Sequence, residues 1–240
     1  MKMSVILETK EVTKNFSGFI AVNKVSLSFE RRSITALIGP NGAGKTTFVN
    51  LCTGMFRPDR GKIIFDGKDV TGLPPERRVR LGMSRTFQIV NIFPGLTVEQ
   101  NIKIPLLSRS KEVKKEIDHF IDLFNFSQKR SVPASELSHG DQKILEIAMA
   151  ISTRPKMIFL DEPMAGVNPA ERTRILDLIR ELRDREKLTI VIVEHDMDVV
   201  FRIAERIVVM NRGKIIADGT PDEIRANEVV KEVYLKGVEV

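Results

Sequence analysis

The chain has 240 residues, of which 42% are hydrophobic and 29% charged. That balance excludes a disordered or fibrous polypeptide and supports a sizeable core in one or two lobes. The net charge of +6 is spread along the chain with only short basic groupings, such as the one around 76–80, so it suits a nucleotide, an anionic membrane face or nucleic acid and selects none of them.

No window approaches the run of about 18 apolar residues that a spanning helix needs, and Met1-Lys2-Met3-Ser4 lacks the apolar core of a signal peptide. Any membrane connection is therefore expected through a partner. Cys52 is the single cysteine; it excludes an internal disulfide, suits a reducing compartment such as the cytoplasm and reads as a buried spectator thiol.

In chain order, β-type segments come first. Residues 25–29 alternate apolar and polar, and 33–38 run apolar into a glycine-rich turn. A helix is predicted over 45–53, then a strand over 62–65 closing at Asp66-Gly67. Residues 88–151 carry helical patterns: a start at Thr97 with Gln100 three residues on, an amphipathic stretch over 111–124, and a helix opening at Leu137-Ser138-His139-Gly140-Asp141. A buried strand over 156–160, a long helix over 169–185, strands over 188–193 and 206–210, a hairpin turning at Asn211-Arg212-Gly213 and two short helices complete the chain.

Strands alternating with helices predict an α/β fold, a mainly parallel sheet with helices on both faces. The expected organisation is one domain over 1–240. Residues 1–87 and 152–240 form the α/β core, with an antiparallel β part at its N-terminal end, and 88–151 form an inserted helical subdomain.

The stretch Gly39-Pro40-Asn41-Gly42-Ala43-Gly44-Lys45-Thr46, followed by Thr47, matches GxxxxGK(S/T) between a predicted strand and helix. Glycines let successive backbone N–H groups and the helix start face phosphate oxygens. Lys45 then reaches the β/γ-phosphates, and the Thr46 hydroxyl is a Mg²⁺ ligand. The apolar run ending in Asp161-Glu162 supplies acids at a strand end: Asp161 to hold Mg²⁺ through water, Glu162 to polarise the attacking water. These acids are expected beside the phosphate loop. One strand later, His195 in Glu194-His195-Asp196 is placed to contact the γ-phosphate or orient Glu162 and its water.

The phosphate loop, then "ELSHGD", "IFLDEP" and "VEHD" in that order, resembles the nucleotide-binding subunit of ATP-binding cassette (ABC) transporters over essentially the whole chain. The resemblance implies that Ser138, His139 and Gly140 contact the γ-phosphate of ATP held by an opposite subunit, although His139 and Asp141 depart from the usual glycine and glutamine. It implies that Phe16 stacks on adenine with Val22 flanking it, and that Gln88 ligates Mg²⁺ and senses the permease. Asn168 stands where many relatives carry an aspartate facing the other subunit.

Within the family, "GLPPERRVRLGMSRTFQIVNIFPGLTVEQNI" and "EPMAGVNPAE" are similar to the ATPases of branched-chain amino acid importers and of urea and amide uptake systems, with part of the pattern shared by lipopolysaccharide-export ATPases. The resemblance implies a motor subunit using ATP and Mg²⁺. Its implied partners are a second copy or a paralogous ATPase, a membrane permease and, indirectly, an external substrate-binding protein, with no nucleic acid. The implied location is the cytoplasmic face of the membrane.

Two other classes compete with the motor. Soluble ABC ATPases of iron–sulfur assembly, translation or DNA repair commonly carry two fused cassettes, a long coiled coil or a set of cluster-binding cysteines, which this sequence lacks. A P-loop GTPase or small-molecule kinase is disfavoured by the absence of an Asn-Lys-x-Asp guanine signature and leaves "LSHGD" unexplained.

Overall fold

The computed structural model describes residues 4–87, 90–107 and 112–235. Strands β1 (Val5–Phe16) and β2 (Phe19–Glu30) form a long antiparallel hairpin. Its two-residue turn has Ser17 at φ 49° and Gly18 at φ 100°, positive at both positions as the twist of a tight hairpin requires.

Five further elements follow the hairpin. They are β3 (Ile34–Ile38), α1 (Lys45–Thr53), β4 (Arg60–Phe65), β5 (Lys68–Asp69) and α2 (Pro75–Leu81). Strand β4 lies antiparallel on β1, and the first sheet has the order β2-β1-β4-β5. Next come β6 (Met83–Arg85), α3 (Val98–Leu106), α4 (Val113–Leu123) and α5 (His139–Ser152). The chain then runs through β7 (Met157–Asp161), α6 (Pro169–Arg185), β8 (Thr189–Val193), α7 (Met197–Ile203), β9 (Arg206–Asn211), β10 (Lys214–Gly219), α8 (Pro221–Ala226) and α9 (Glu228–Leu235).

The second sheet has the order β10-β9-β3-β8-β7-β6, parallel from β9 to β6 with β10 antiparallel on its edge. Its strands divide their side chains between two layers. Met157 and Phe159 of β7 join the cluster beneath α1 and the antiparallel sheet, whereas Ile158 and Leu160 face the cluster built from α3, α4, α5 and α6. The helical stretch therefore shares its core with the sheet: Val98, Ile102, Phe120 and Ile147 pack in one cluster with Ile158, Leu160 and Ile175. Each such buried side chain contributes about 1.5–3 kcal/mol of transfer free energy. Among the described residues no helix is long and apolar enough to cross a membrane.

Local signals account for several boundaries. Thr97 and Gln100 form the reciprocal capping box at the start of α3, and Asn168 caps α6 with Pro169 in its first turn. The turn at Asp66 and Gly67 has φ 50° and 75°.

The sequence expectation names neither the long strand β1 nor the short elements β5, α2, β6 and α7. Helix α2 is arginine-rich and reads as solvated, yet Arg78 is 1% exposed. Its guanidinium donates to the carbonyls of Leu51 (2.7 Å), Cys52 (2.6 Å) and Leu73 (3.0 Å), placing a cation over the C-terminal carbonyls of α1. Beneath it Cys52 is fully buried, and that burial pushes its thiol up to about 12 against the opposing charge of Arg78.

Candidate nucleotide site

The phosphate loop leaves the C-terminal end of β3 and is wedged between two neighbours. A Cβ at Gly39 would lie 2.1 Å from the Met210 carbonyl oxygen, and one at Gly44 would lie 2.3 Å from that of Ala21. The turn after β9 is stitched to the loop, Gly213 N donating to Ala43 O at 2.9 Å and Asn23 N donating to Gly213 O at 2.8 Å. Helix α1 starts at Gly44 without a side-chain cap, which leaves its first N–H groups to an anion. Asn41, Gly42 and Thr46 are exposed, and Pro40 and Thr47 are half-buried.

Lys45 folds back on this loop, its Nζ donating to the carbonyls of Gly39 (2.6 Å) and Pro40 (3.1 Å). Burial lowers its pKa, with the charges of Glu162 and Asp161 opposing that shift. The ammonium and the two carboxylates thus act on one another across the same edge of the sheet.

Asp161 ends β7 opposite Val193 of β8, so Glu162 and Glu194 emerge side by side. Strand β8 lies between β3 and β7, because the crossover through α6 returns the chain to the inside of the sheet, and Glu194-His195 therefore follows the strand that separates the phosphate-loop strand from the Asp161 strand.

Asp161 N donates to Thr86 Oγ1 at 3.2 Å, and Arg85 Nη2 donates to Asp161 Oδ2 at 3.2 Å. Burial raises the Asp161 pKa, with Arg85 opposing. Arg85 also donates to Asn50 Oδ1 on α1 at 2.5 Å, and its guanidinium carbon lies 4.5 Å from the Phe87 ring centroid. Sequence reasoning missed Arg85, since a lone arginine reads as a solvated charge.

Glu162 has φ 47° and donates its N–H to Val193 O at 2.9 Å. Its Oε1 is 3.6 Å from Nδ1 of the exposed His195, beyond hydrogen-bond length but within ion-pair range. Glu194 is buried and accepts from Met164 N (3.1 Å) and His195 N (3.3 Å), tying the end of β8 to the turn after Glu162. Burial raises its pKa. Gln88 lies outside the described residues. Its flanks are fastened to α5, where Glu146 Oε1 accepts from Phe87 N (3.2 Å) and Asn91 N (3.3 Å).

At the far end of β1, Phe16 is 41% exposed and meets Phe56 edge-on, with ring centroids 5.4 Å apart. Phe56 was also missed, because only the fold carries the segment after α1 to the hairpin. Val22 is fully buried in the core cluster beneath the loop, with no surface to offer a ligand directly.

A second group forms at the start of α5. Ser138 caps the helix, accepting from Asp141 N at 3.2 Å, and its hydroxyl donates to Glu171 Oε1 at 2.6 Å. Asn168 accepts from Glu171 N at 3.0 Å and donates to Glu171 Oε2 at 2.6 Å. His139 Nε2 is 3.2 Å from Ala165 O. Asp141 is buried and paired with Lys129 and with Arg174, the latter at 2.7 Å. The fold thus gathers Ser138, Gly140 and Asn168 around Glu171, another residue that sequence reasoning passed over.

No group of three or more His, Cys, Asp or Glu among the described residues is arranged to hold a metal. The Thr46 hydroxyl and the Asp161 carboxylate are hard oxygen donors, the type that Mg²⁺ takes when substrate phosphates complete its shell. The residues present fit that ion.

A buried parallel strand, a glycine-rich GKT loop and an uncapped helix, with a second strand ending in acids, define the class of P-loop nucleoside triphosphatases. The family follows from comparison with known proteins. The ABC transporter model matches residues 22–165 and the branched-chain amino acid ATP-binding cassette transporter model matches 214–235; the chain belongs to the ABC transporter ATP-binding family and is an ATP-hydrolysing subunit of it. It is 39% identical over 248 aligned residues to the high-affinity branched-chain amino acid transport ATP-binding protein BraF of Pseudomonas aeruginosa, covering 96% of this chain and 97% of that protein. It is 38% identical over 234 residues to the lipopolysaccharide export system ATP-binding protein LptB of Haemophilus influenzae, with the same coverage. A solved ATP-binding cassette of an ABC transporter in its ADP conformation superposes with a TM-score of 0.89 at 32% identity, covering 97% of this chain and 99% of that one.

Proposed function

We propose that the chain is the motor of an importer of branched-chain or other hydrophobic amino acids, working at the cytoplasmic face of the membrane through a separate permease. The observation that carries this reading is the match at 214–235 to the branched-chain amino acid cassette model, alongside full-length similarity to BraF. Two copies, or one copy and a paralogous ATPase, close around two ATP molecules. The permease converts closure into alternating access, and an external substrate-binding protein delivers the cargo. Residues 1–87 and 152–240 act as the nucleotide-binding core, and 88–151 as the helical part that carries Ser138.

In this reading Phe16 stacks on adenine above the floor that Val22 supports, and the backbone from Gly39 to Gly44 cradles the phosphates, with Thr47 beside them. Lys45 exchanges its two carbonyl partners for the β/γ-phosphates. Mg²⁺ neutralises phosphate charge when bound; Thr46, Gln88 and, through water, Asp161 would hold it. Glu162 accepts the proton of the attacking water, and His195 meets the γ-phosphate or orients Glu162 and its water. From the opposite subunit, Ser138, His139, Gly140 and Asn168 complete the phosphate site. Similarity to LptB supports a second reading, a motor for lipopolysaccharide export.

Two experiments test this. Co-purified permease subunits reconstituted in vesicles should take up branched-chain amino acids on ATP addition, whereas extraction of lipopolysaccharide instead would select the second reading. The trans arrangement is tested by mixing Lys45→Ala and Ser138→Arg proteins. If each site uses one chain's Lys45 and the other's Ser138, about half of randomly exchanged dimers are mixed and each holds one intact site, so hydrolysis returns to about a quarter of the parental rate. A verified mixed dimer without hydrolysis would refute it.

A further inference from the structure

A carboxylate from a neighbouring helix lies against the start of α5. Glu171 lies in the first turn of α6, and its carboxylate reaches across to α5. Oε1 accepts from the Ser138 hydroxyl at 2.6 Å and Oε2 accepts from the Asn168 amide at 2.6 Å. The carboxylate also packs on the helix backbone. A Cβ at Gly140 would lie 2.6 Å from the Glu171 carboxyl carbon and within 2.9 Å of both oxygens. One carboxylate thus occupies the favourable potential of two helix N-termini, that of α5 and that of its own α6.

We infer that Glu171 is a gating residue for closure: its carboxylate occupies the place on Ser138 and Gly140 that the partner subunit's nucleotide takes, and a terminal phosphate must displace it. This rests on the reading of Ser138 and Gly140 as a trans phosphate site. Glu171 is half-buried at the surface, and a side chain in the first turn of a helix swings out by rotamer change, so displacement needs no backbone movement. Like charges cannot share the Ser138 hydroxyl and the Gly140 surface, so the carboxylate raises the ATP requirement for closure and disfavours closure around ADP, whose shorter phosphate chain does not reach the contact.

The test uses the full chain carrying Glu162→Gln, which should retain bound ATP, and measures the ATP and ADP concentrations at half-maximal dimer formation by light scattering. Glu171→Gln keeps a polar contact but removes the charge; it should lower the ATP requirement about tenfold, equivalent to about 1.4 kcal/mol, and allow partial closure with ADP. Glu171→Asp keeps the charge but is too short to hold Ser138, and should fall between the parent and Glu171→Gln. Matching thermal melts of the variants exclude a folding effect. An unchanged or raised ATP requirement in Glu171→Gln would overturn the gating role. Ser138→Arg separates the two ideas: if it closes at the parental ATP concentration, the trans site itself is wrong, and if it fails to close while Glu171→Gln behaves as the parent, only the gate is wrong.

Discussion

Arg85 and Asp161 form an ion pair, Nη2 to Oδ2 at 3.2 Å, in which the two side chains are only 10% and 6% exposed. Through Asn50 the same guanidinium holds α1, so the phosphate-loop helix and the acid at the end of β7 are braced by one side chain.

Removing one partner of such a pair leaves the other buried and uncompensated, which costs about 3–5 kcal/mol. Arg85→Gln should lower the unfolding free energy by about that amount in denaturant titrations. Arg85→Lys, which keeps the charge but cannot reach Asp161 and Asn50 together, should recover only part of it. A loss within about 0.5 kcal/mol of the parent would show that the bracing is not real.

Asp141 carries a pH dependence. Burial raises its pKa, but hydrogen bonds from Lys129 and Arg174 outweigh that, leaving the carboxylate below its usual value. A depressed folded pKa stabilises above the unfolded value of about 3.9 and loses that contribution as pH falls through the folded value. Asp141→Asn should therefore cost about 1–2 kcal/mol at neutral pH, discounted because Lys129 and Arg174 are nearly half exposed, and the gap to the parent should close below about pH 4.

Glu162→Gln should leave ATP bound but nearly unhydrolysed, since the amide keeps the size and cannot act as a base. His195→Ala should slow turnover far more than it weakens ATP binding, because its contacts matter once water and γ-phosphate are aligned. Single-turnover assays beside equilibrium titrations check both; parental turnover in either variant would remove that residue from the reaction.

Phe16→Ala should weaken ATP binding by about 1–3 kcal/mol, the scale of base–aromatic stacking. Phe56 gives a control. If it holds the Phe16 ring at its edge, Phe56→Leu should weaken binding less than Phe16→Ala and add little to it in the double variant. Titration with a fluorescent ATP analogue measures all three, and unchanged affinity in Phe16→Ala would make it a packing residue.

Much of this protein was legible in local pattern. The helices over α1 and α6 coincide with the predicted spans, and the capping box at Thr97 and the turns at Asp66-Gly67 and Asn211-Arg212-Gly213 stand where expected. Such signals are written within a few residues, in glycines that tolerate positive φ, hydroxyls that cap and apolar residues at helical or strand period. The phosphate loop was equally plain, because phosphate binding by backbone N–H groups demands glycine at fixed intervals.

Tertiary structure alone decided the rest. Arg78, Arg85 and Glu171 read as solvated charges in the sequence, and only the packing of distant segments brings each to its partners: Arg78 to the end of α1, Arg85 to Asp161 across 76 residues, Glu171 to Ser138 across 33. The strand order belongs to the same class. A buried apolar strand fits equally well on either side of another, and it is the α6 crossover that sets β8, which Glu194 and His195 follow, between the phosphate-loop strand and the Asp161 strand.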